Sequence, residues 1–214
     1  MSGPVIALLG AESTGKSDLA AALADALAQR GLRATAVPEY LREFCDRAGR
    51  TPRTDEQAGI ADEQWRRIVA AAADGSVVLA DTTPLMTAVY SDYVFGDASL
   101  YAPALERQRL CRASLVTGLD LPWRPDGLQR DGAHAREPVD ALLRGALQGA
   151  GLAYGVVYGE GDARIAAALA AVAAPLGLAR APLADDDRPL RLRCRDCLVP
   201  GCEHLLFPRV PTKR

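Results

Sequence analysis

Gly10-Ala11-Glu12-Ser13-Thr14-Gly15-Lys16-Ser17 is the stretch on which the reading of this 214-residue chain turns. It fits the P-loop spacing of Gly, four residues, then Gly-Lys-Ser. The apolar run Val5-Ile6-Ala7-Leu8-Leu9 before it predicts a buried parallel strand. From Asp18 to Ala28, leucines at 19, 23 and 27 lie four apart, which predicts a helix. Glycines let the loop between them curl so that backbone N–H groups converge, and the helix N-terminus adds partial positive charge. Gly10, Glu12, Ser13, Thr14, Gly15, Lys16 and Ser17 are therefore expected to hold a nucleoside triphosphate. Lys16 is expected to reach its β- and γ-phosphates, and the Ser17 hydroxyl to bind Mg²⁺. The competing reading is a chance match in a glycine-bearing turn.

Outward from that loop the chain alternates. Ala34–Val37 predicts a second strand that ends at Pro38-Glu39-Tyr40. Ligand crevices open at such strand ends, so Glu39 is a candidate for the site, with Arg42 one short turn on. The alternatives are a helix-capping Glu39 and a solvated Arg42. Thr54-Asp55-Glu56-Gln57 predicts a capping box that opens a helix to about residue 73, with Trp65 in the core or at its margin. Residues 76–80 predict a third strand ending in Asp81, the loose Walker B arrangement. Asp81 would then bind Mg²⁺ or take the proton of an incoming hydroxyl; the alternative is an N-cap ahead of Pro84.

Helices are predicted over 84–94 and 98–112, and a fourth strand over Ala113–Thr117. The polar segment 118–136 follows, with Trp123, Arg124, Arg130 and Arg136. A loop this long predicts a mobile lid whose arginines swing onto phosphates, against a plain solvated loop with Trp123 tucked in. His134 has no signature around it and reads as a surface residue. Helix 139–149, strand 153–158 and helix 161–174 complete five strands alternating with helices. The expected fold class is α/β, a P-loop NTPase with a five-stranded parallel sheet flanked by helices.

Composition bounds the rest. Net charge is −2, from 25 basic and 27 acidic residues, so neither nucleic acid nor an anionic membrane is an expected partner. The first residues lead straight into the first apolar run, which predicts no secretory leader and a cytoplasmic protein. Five cysteines there read as thiols or metal ligands, with Cys45 and Cys111 as buried thiols. Residues 1–175 are expected to form the main domain, 176–189 a linker and 190–214 a short tail. In the tail, Cys194, Cys197, Cys202 and His204 supply four ligands around a Pro200-Gly201 turn, a set suited to structural Zn²⁺. An unpaired thiol-rich tail, or an oxidised disulfide, is the alternative. A homo-oligomer is left open.

Taken together, Gly10–Ser17, Pro38-Glu-Tyr-x-Arg-Glu43, Ala80-Asp-Thr-Thr83 and Pro122-Trp-x-x-Asp-Gly-x-x-Arg130 resemble the ribosylnicotinamide kinase domain of NadR-type NAD-synthesis proteins. The resemblance covers roughly residues 4–175. It implies a nucleoside-kinase-like fold with the Asp81 strand beside the P-loop strand. It also implies ATP-dependent phosphorylation of the ribose 5′-hydroxyl of nicotinamide riboside. Lys16 and Ser17 would serve ATP and Mg²⁺. Asp81 and Glu39 would bind ribose and metal, one of them as base, beside Tyr40 and Arg42. Trp123 would stack on the cationic nicotinamide ring, Asp126 would add polar contacts, and Arg130 and Arg136 would act from the lid. Other readings on the same residues are a kinase of another nucleoside or metabolite, and a regulatory P-loop ATPase whose tail grips a partner.

Overall fold

The computed structural model describes residues 2–124 and 132–178. Asp126, Arg130 and the tail residues Cys194, Cys197, Cys202 and His204 lie outside the described residues.

The chain runs β1 (Val5–Leu9), α1 (Lys16–Ala28), β2 (Ala34–Val37), α2 (Tyr40–Ala48), α3 (Gln57–Ala71), β3 (Val77–Asp81) and α4 (Pro84–Phe95). It continues through α5 (Tyr101–Gln108), β4 (Ala113–Thr117), α6 (Arg136–Gly149), β5 (Gly155–Val157) and α7 (Gly161–Ala173). The five strands form one parallel sheet, as expected of strands alternating with helices, and its order is β2-β3-β1-β4-β5. Side-chain alternation along β1 explains its unbroken apolar run. Ile6 and Leu8 face Leu19, Leu23 and Leu27 of α1 and Ala168 and Val172 of α7. Ala7 and Leu9 face Leu85 and Val89 of α4 and Val139, Leu143 and Leu147 of α6. Val5 joins Ile68, Ala72 and Val78 beneath α3, with Trp65 packed at the margin of that cluster. Each fully buried Leu or Ile contributes about 1.5–3 kcal/mol, so the central strand is held firmly from both sides.

The order of the strands places the site. From β1 the chain leaves toward β2, and from its neighbour β3 it leaves the other way, toward β4. A crevice opens where connections from adjacent strands diverge, here at the carboxyl ends of β1 and β3. The register pairs Leu8 with Asp81 and Val37 with Ala80, so the P-loop, Asp81 and Glu39 emerge at one edge.

Some element ends differ from expectation. The turn before α3 is capped one residue early: Glu56 accepts the Arg53 N–H at 2.8 Å within a 3-10 turn over Thr54–Glu56. Asp97 accepts the Ser99 N–H at 2.9 Å, and α5 begins only at Tyr101. Among the described residues the short edge strand β5 pairs with β4 alone, over Leu115–Thr117. Among the described residues no helix is long and apolar enough to cross a membrane.

Candidate active site

The P-loop is shaped by its side chains as much as by its glycines. Gly10 has φ +143° and lies against Thr117, so any Cβ there would collide with the Thr117 hydroxyl. Gly15 precedes α1 with φ +71°, a conformation that favours glycine. Thr14 Oγ1 donates to Ala11 O at 2.8 Å and meets Thr117 Oγ1 at 2.7 Å, while Thr117 Oγ1 donates to Leu9 O at 3.1 Å. These buried hydroxyls tie the loop to β1 and β4. Lys16 Nζ donates to Ala11 O at 2.8 Å, folded across the loop's mouth. Ser13 through Asp18, with Arg42, line a hollow of about 150 Å³ above the start of α1.

Asp81 ends β3 almost wholly buried, and its Oδ2 accepts the Ser17 hydroxyl at 2.5 Å. Its Oδ1 is buried with no hydrogen-bond partner among the described residues. An orphaned carboxylate oxygen beside a P-loop hydroxyl is a donor set suited to Mg²⁺. The capping alternative for Asp81 fails: Thr83 caps α4, accepting the Leu85 N–H at 3.4 Å and donating to Gln108 Oε1 at 2.7 Å. Between Asp81 and Thr83, Thr82 sits at φ +72°, a strained left-handed conformation for a β-branched residue.

Glu39 follows β2 at the N-cap position of α2, where its side chain makes no capping bond, and Arg42 Nε lies 3.3 Å from its carboxylate. Burial pushes the Glu39 carboxyl above its ordinary value; Lys16 pulls it down, Asp81 pushes it up, and Arg42 pulls it down.

Gln64 was not assigned a role from sequence, yet it sets the spacing of the two carboxylates. From the inward face of α3 its Oε1 accepts the Tyr40 N–H at 2.6 Å, while Nε2 donates to Pro38 O at 3.3 Å and Thr82 O at 3.4 Å. One amide thus joins the tips of β2 and β3. Its only signal in sequence is a polar residue on the helix face that carries Ile60, Ala61 and Ile68.

Arg164 was likewise missed. It is 5% exposed at the start of α7. Its Nη2 donates to Thr14 O at 2.6 Å and its Nη1 to Gly159 O at 2.9 Å, with Asp120 Oδ1 3.8 Å away. Asp120 Oδ2 in turn accepts the Gly159 N–H at 2.6 Å. In a trans peptide C=O and N–H point oppositely, so holding the Thr14 carbonyl aims the Gly15 N–H the other way. A charged donor on that carbonyl also polarises the peptide and strengthens the N–H.

The remaining sequence candidates separate. Glu12 is buried, and one of its oxygens accepts both the Trp123 indole N–H at 2.9 Å and the Gly132 N–H at 3.0 Å. Ser13 Oγ also accepts the Arg124 N–H at 2.7 Å. The P-loop therefore grips the polar segment on either side of residues 125–131. Trp123 is bound to that grip and is not among the residues walling the main cleft. Tyr40 points to another surface, its hydroxyl accepting from Arg47 at 2.8 Å and Arg67 lying 4.4 Å over its ring. Arg136 begins α6 buried, with Nε and Nη2 unpartnered among the described residues. His134 is exposed, Cys45 is buried, and Cys111 is half-buried with its thiol pushed up to about 12 by burial.

The main cleft, of about 190 Å³, opens from Gly10, Lys16, Glu39 and Thr82. Its sides are Leu41 and Cys45 of α2, Gln57 of α3, and Met86, Tyr90 and Phe95 of α4. Its lining combines the charged Lys16, Glu39 and Arg42 with the apolar Leu41, Met86, Val94 and Phe95.

A parallel sheet of this order, with a Gly-Lys-Ser loop after its central strand and a buried aspartate at the end of the strand beside it, is a P-loop α/β fold. The chain belongs to the AAA domain family, which it matches over residues 5–164. Its fold is similar to the crystal structure of a NadR protein in complex with NR, with TM-score 0.66 and 24% identity over 85% of this chain and 54% of that one. A NadR protein in complex with NAD and AMP-PNP is similar with TM-score 0.65 and 20% identity, over 85% of this chain and 52% of that one. The chain spans about half the length of these proteins. No curated protein matches the sequence.

Proposed function

We propose that the protein is an ATP-dependent kinase of a small nucleoside, with nicotinamide riboside as the acceptor. The observation that carries this is that Lys16, which lines the P-loop hollow with Ser17, the partner of Asp81, also lines with Glu39 a second cleft walled by Leu41, Met86 and Phe95. A nucleotide switch needs the first three but not a raised carboxyl at the mouth of a second, apolar compartment. The two NadR complexes share the fold and, by their descriptions, hold NR, NAD and AMP-PNP.

On this reading the P-loop amides and Lys16 hold the triphosphate, and Ser17 and Asp81 hold Mg²⁺, which neutralises phosphate charge when bound. Glu39 takes the proton of the ribose 5′-hydroxyl as that oxygen bonds to the γ-phosphorus. The bond from γ-phosphorus to its bridging oxygen breaks, leaving ADP and the 5′-monophosphate. Trp123 belongs to the polar segment that the Glu12 and Ser13 contacts fasten to the P-loop, whereas Arg136, expected in a lid, is buried at the start of α6; Asp126 and Arg130 are assigned to the lid by the resemblance alone.

The test is ADP release by the purified chain with ATP, Mg²⁺ and a panel of nucleosides that includes nicotinamide riboside. Release that depends on a nucleoside, with its 5′-monophosphate formed, is expected. ATP consumption indifferent to every nucleoside would overturn the proposal in favour of a switch.

A further inference from the structure

The inward face of α3 carries Gln57, Ile60, Ala61, Gln64 and Ile68. Two glutamines on a core-facing stripe, seven residues apart, are two buried amides to be accounted for. The Gln64 amide is used up by three backbone partners. Gln57 is 5% exposed and lines the main cleft, yet its side chain makes no hydrogen bond among the described residues. Its amide atoms are not sealed in the core either, so they front the cleft. Facing the cleft, that amide can bond water or a ligand, and a ligand that displaces the water must match both its donor and its acceptor.

Position narrows the ligand. Seven residues of helix span about 10 Å, so Gln57 lies that far along α3 from Gln64 at the strand tips where phosphoryl transfer is proposed. That is the reach of a nucleoside from its 5′-oxygen to the outer edge of its base. Chemistry narrows it further. A glutamine amide presents a carbonyl acceptor beside N–H donors in one plane. Its complement is a neutral group with the same pair reversed, a primary carboxamide or a lactam edge. A carboxylate offers acceptors alone and would meet the Gln57 carbonyl unfavourably.

We propose that Gln57 selects the acceptor by pairing with a neutral amide edge on its base. This rests on the nucleoside-kinase reading and adds to it the residue that distinguishes a carboxamide from a carboxylate. With a carboxylate the Gln57 N–H still finds an acceptor, but the Gln57 carbonyl loses its donor and faces a second acceptor, so discrimination of about tenfold to a hundredfold in kcat/KM is expected.

The experiment compares nicotinamide riboside with nicotinic acid riboside in the wild-type protein and in Gln57→Met, which keeps the length but not the amide. Wild type should favour the carboxamide by at least tenfold. Gln57→Met should bring the ratio close to one, mainly through the acceptor KM, with the KM for ATP unchanged. Without ligand its melting temperature should stay close to wild type, because the amide makes no hydrogen bond within the described residues. An unchanged ratio in a protein that turns over both ribosides overturns this inference alone, as does a melting temperature several degrees lower, which would mean that the amide serves the protein. If another nucleoside proves to be the acceptor, the same comparison is run against its analogue lacking the amide edge, with the same outcomes. Turnover of no nucleoside overturns the kinase reading, and this inference with it.

Discussion

Arg164→Met should damage both the stability and the nucleotide grip of this protein, although Arg164 reaches the P-loop from the last helix. The wild-type guanidinium makes two buried hydrogen bonds to backbone carbonyls, Thr14 O and Gly159 O. Hydrogen bonds from charged donors are each worth about 1.5–3 kcal/mol. Asp120 is partly exposed and keeps its bond to Gly159 N, so little is added for the 3.8 Å ion pair. Methionine recovers some apolar contact, leaving a net loss of about 3 kcal/mol, or about 6–12 °C in melting temperature for a domain of this size. The functional consequence is separate. With the Thr14 carbonyl released, the Gly15 N–H is no longer aimed, so the KM for ATP should rise about tenfold or more while the acceptor KM stays within about twofold. These fold-changes correspond to the loss of about one aimed hydrogen bond. Arg164→Lys, which keeps a cation under the loop, should fall between. Calorimetry and initial-rate kinetics on the three proteins decide it. A Met variant with wild-type melting temperature, or one that loses stability but keeps the wild-type KM for ATP, would refute the claim that this residue shapes the phosphate site.

Lys16→Ala should abolish phosphoryl transfer with the fold intact; transfer at the wild-type rate would end the P-loop assignment. Glu39 gives a pH test. Its native carboxyl lies above 4.5, mainly through burial, so its protonated form contributes stability that is full below 4.5 and lost as pH rises through the native value. Glu39→Gln should therefore gain melting temperature relative to wild type as pH increases toward 8, and should lose about a hundredfold or more in kcat. A variant less stable than wild type at pH 8 would contradict the burial argument. Gly10→Ala should cripple ATP binding and lower the melting temperature, because the new Cβ would fall on the Thr117 hydroxyl that braces Thr14. Wild-type affinity for ATP in that variant would show that the brace is dispensable.

Much of this molecule could be read along the chain. The Gly10–Ser17 loop, the apolar β1 and the leucines of α1 are local patterns: spacing, turn chemistry and periodicity within a few residues. Val37 and Asp81 end their strands where composition changes, so Glu39 and Asp81 were legible as strand-tip carboxylates. Their meeting was not, since it depends on β3 lying between β1 and β2, a property of sheet order. The same limit hid Gln57, Gln64 and Arg164. A glutamine on a helix face or an arginine at a helix start carries no mark of what it touches. The Arg164–Thr14 bond spans 150 positions and exists only because β4 and β5 bring α7 beneath the P-loop. Trp123 makes the point from the other side: its place in a polar loop was clear, but its bond to Glu12 follows from the P-loop's three-dimensional curl. Sequence alone determined the phosphate-binding loop and the alternating fold, because those follow from neighbouring residues. Tertiary structure alone decided which distant polar groups meet, because burial in a packed core forces each one to find a partner or a ligand.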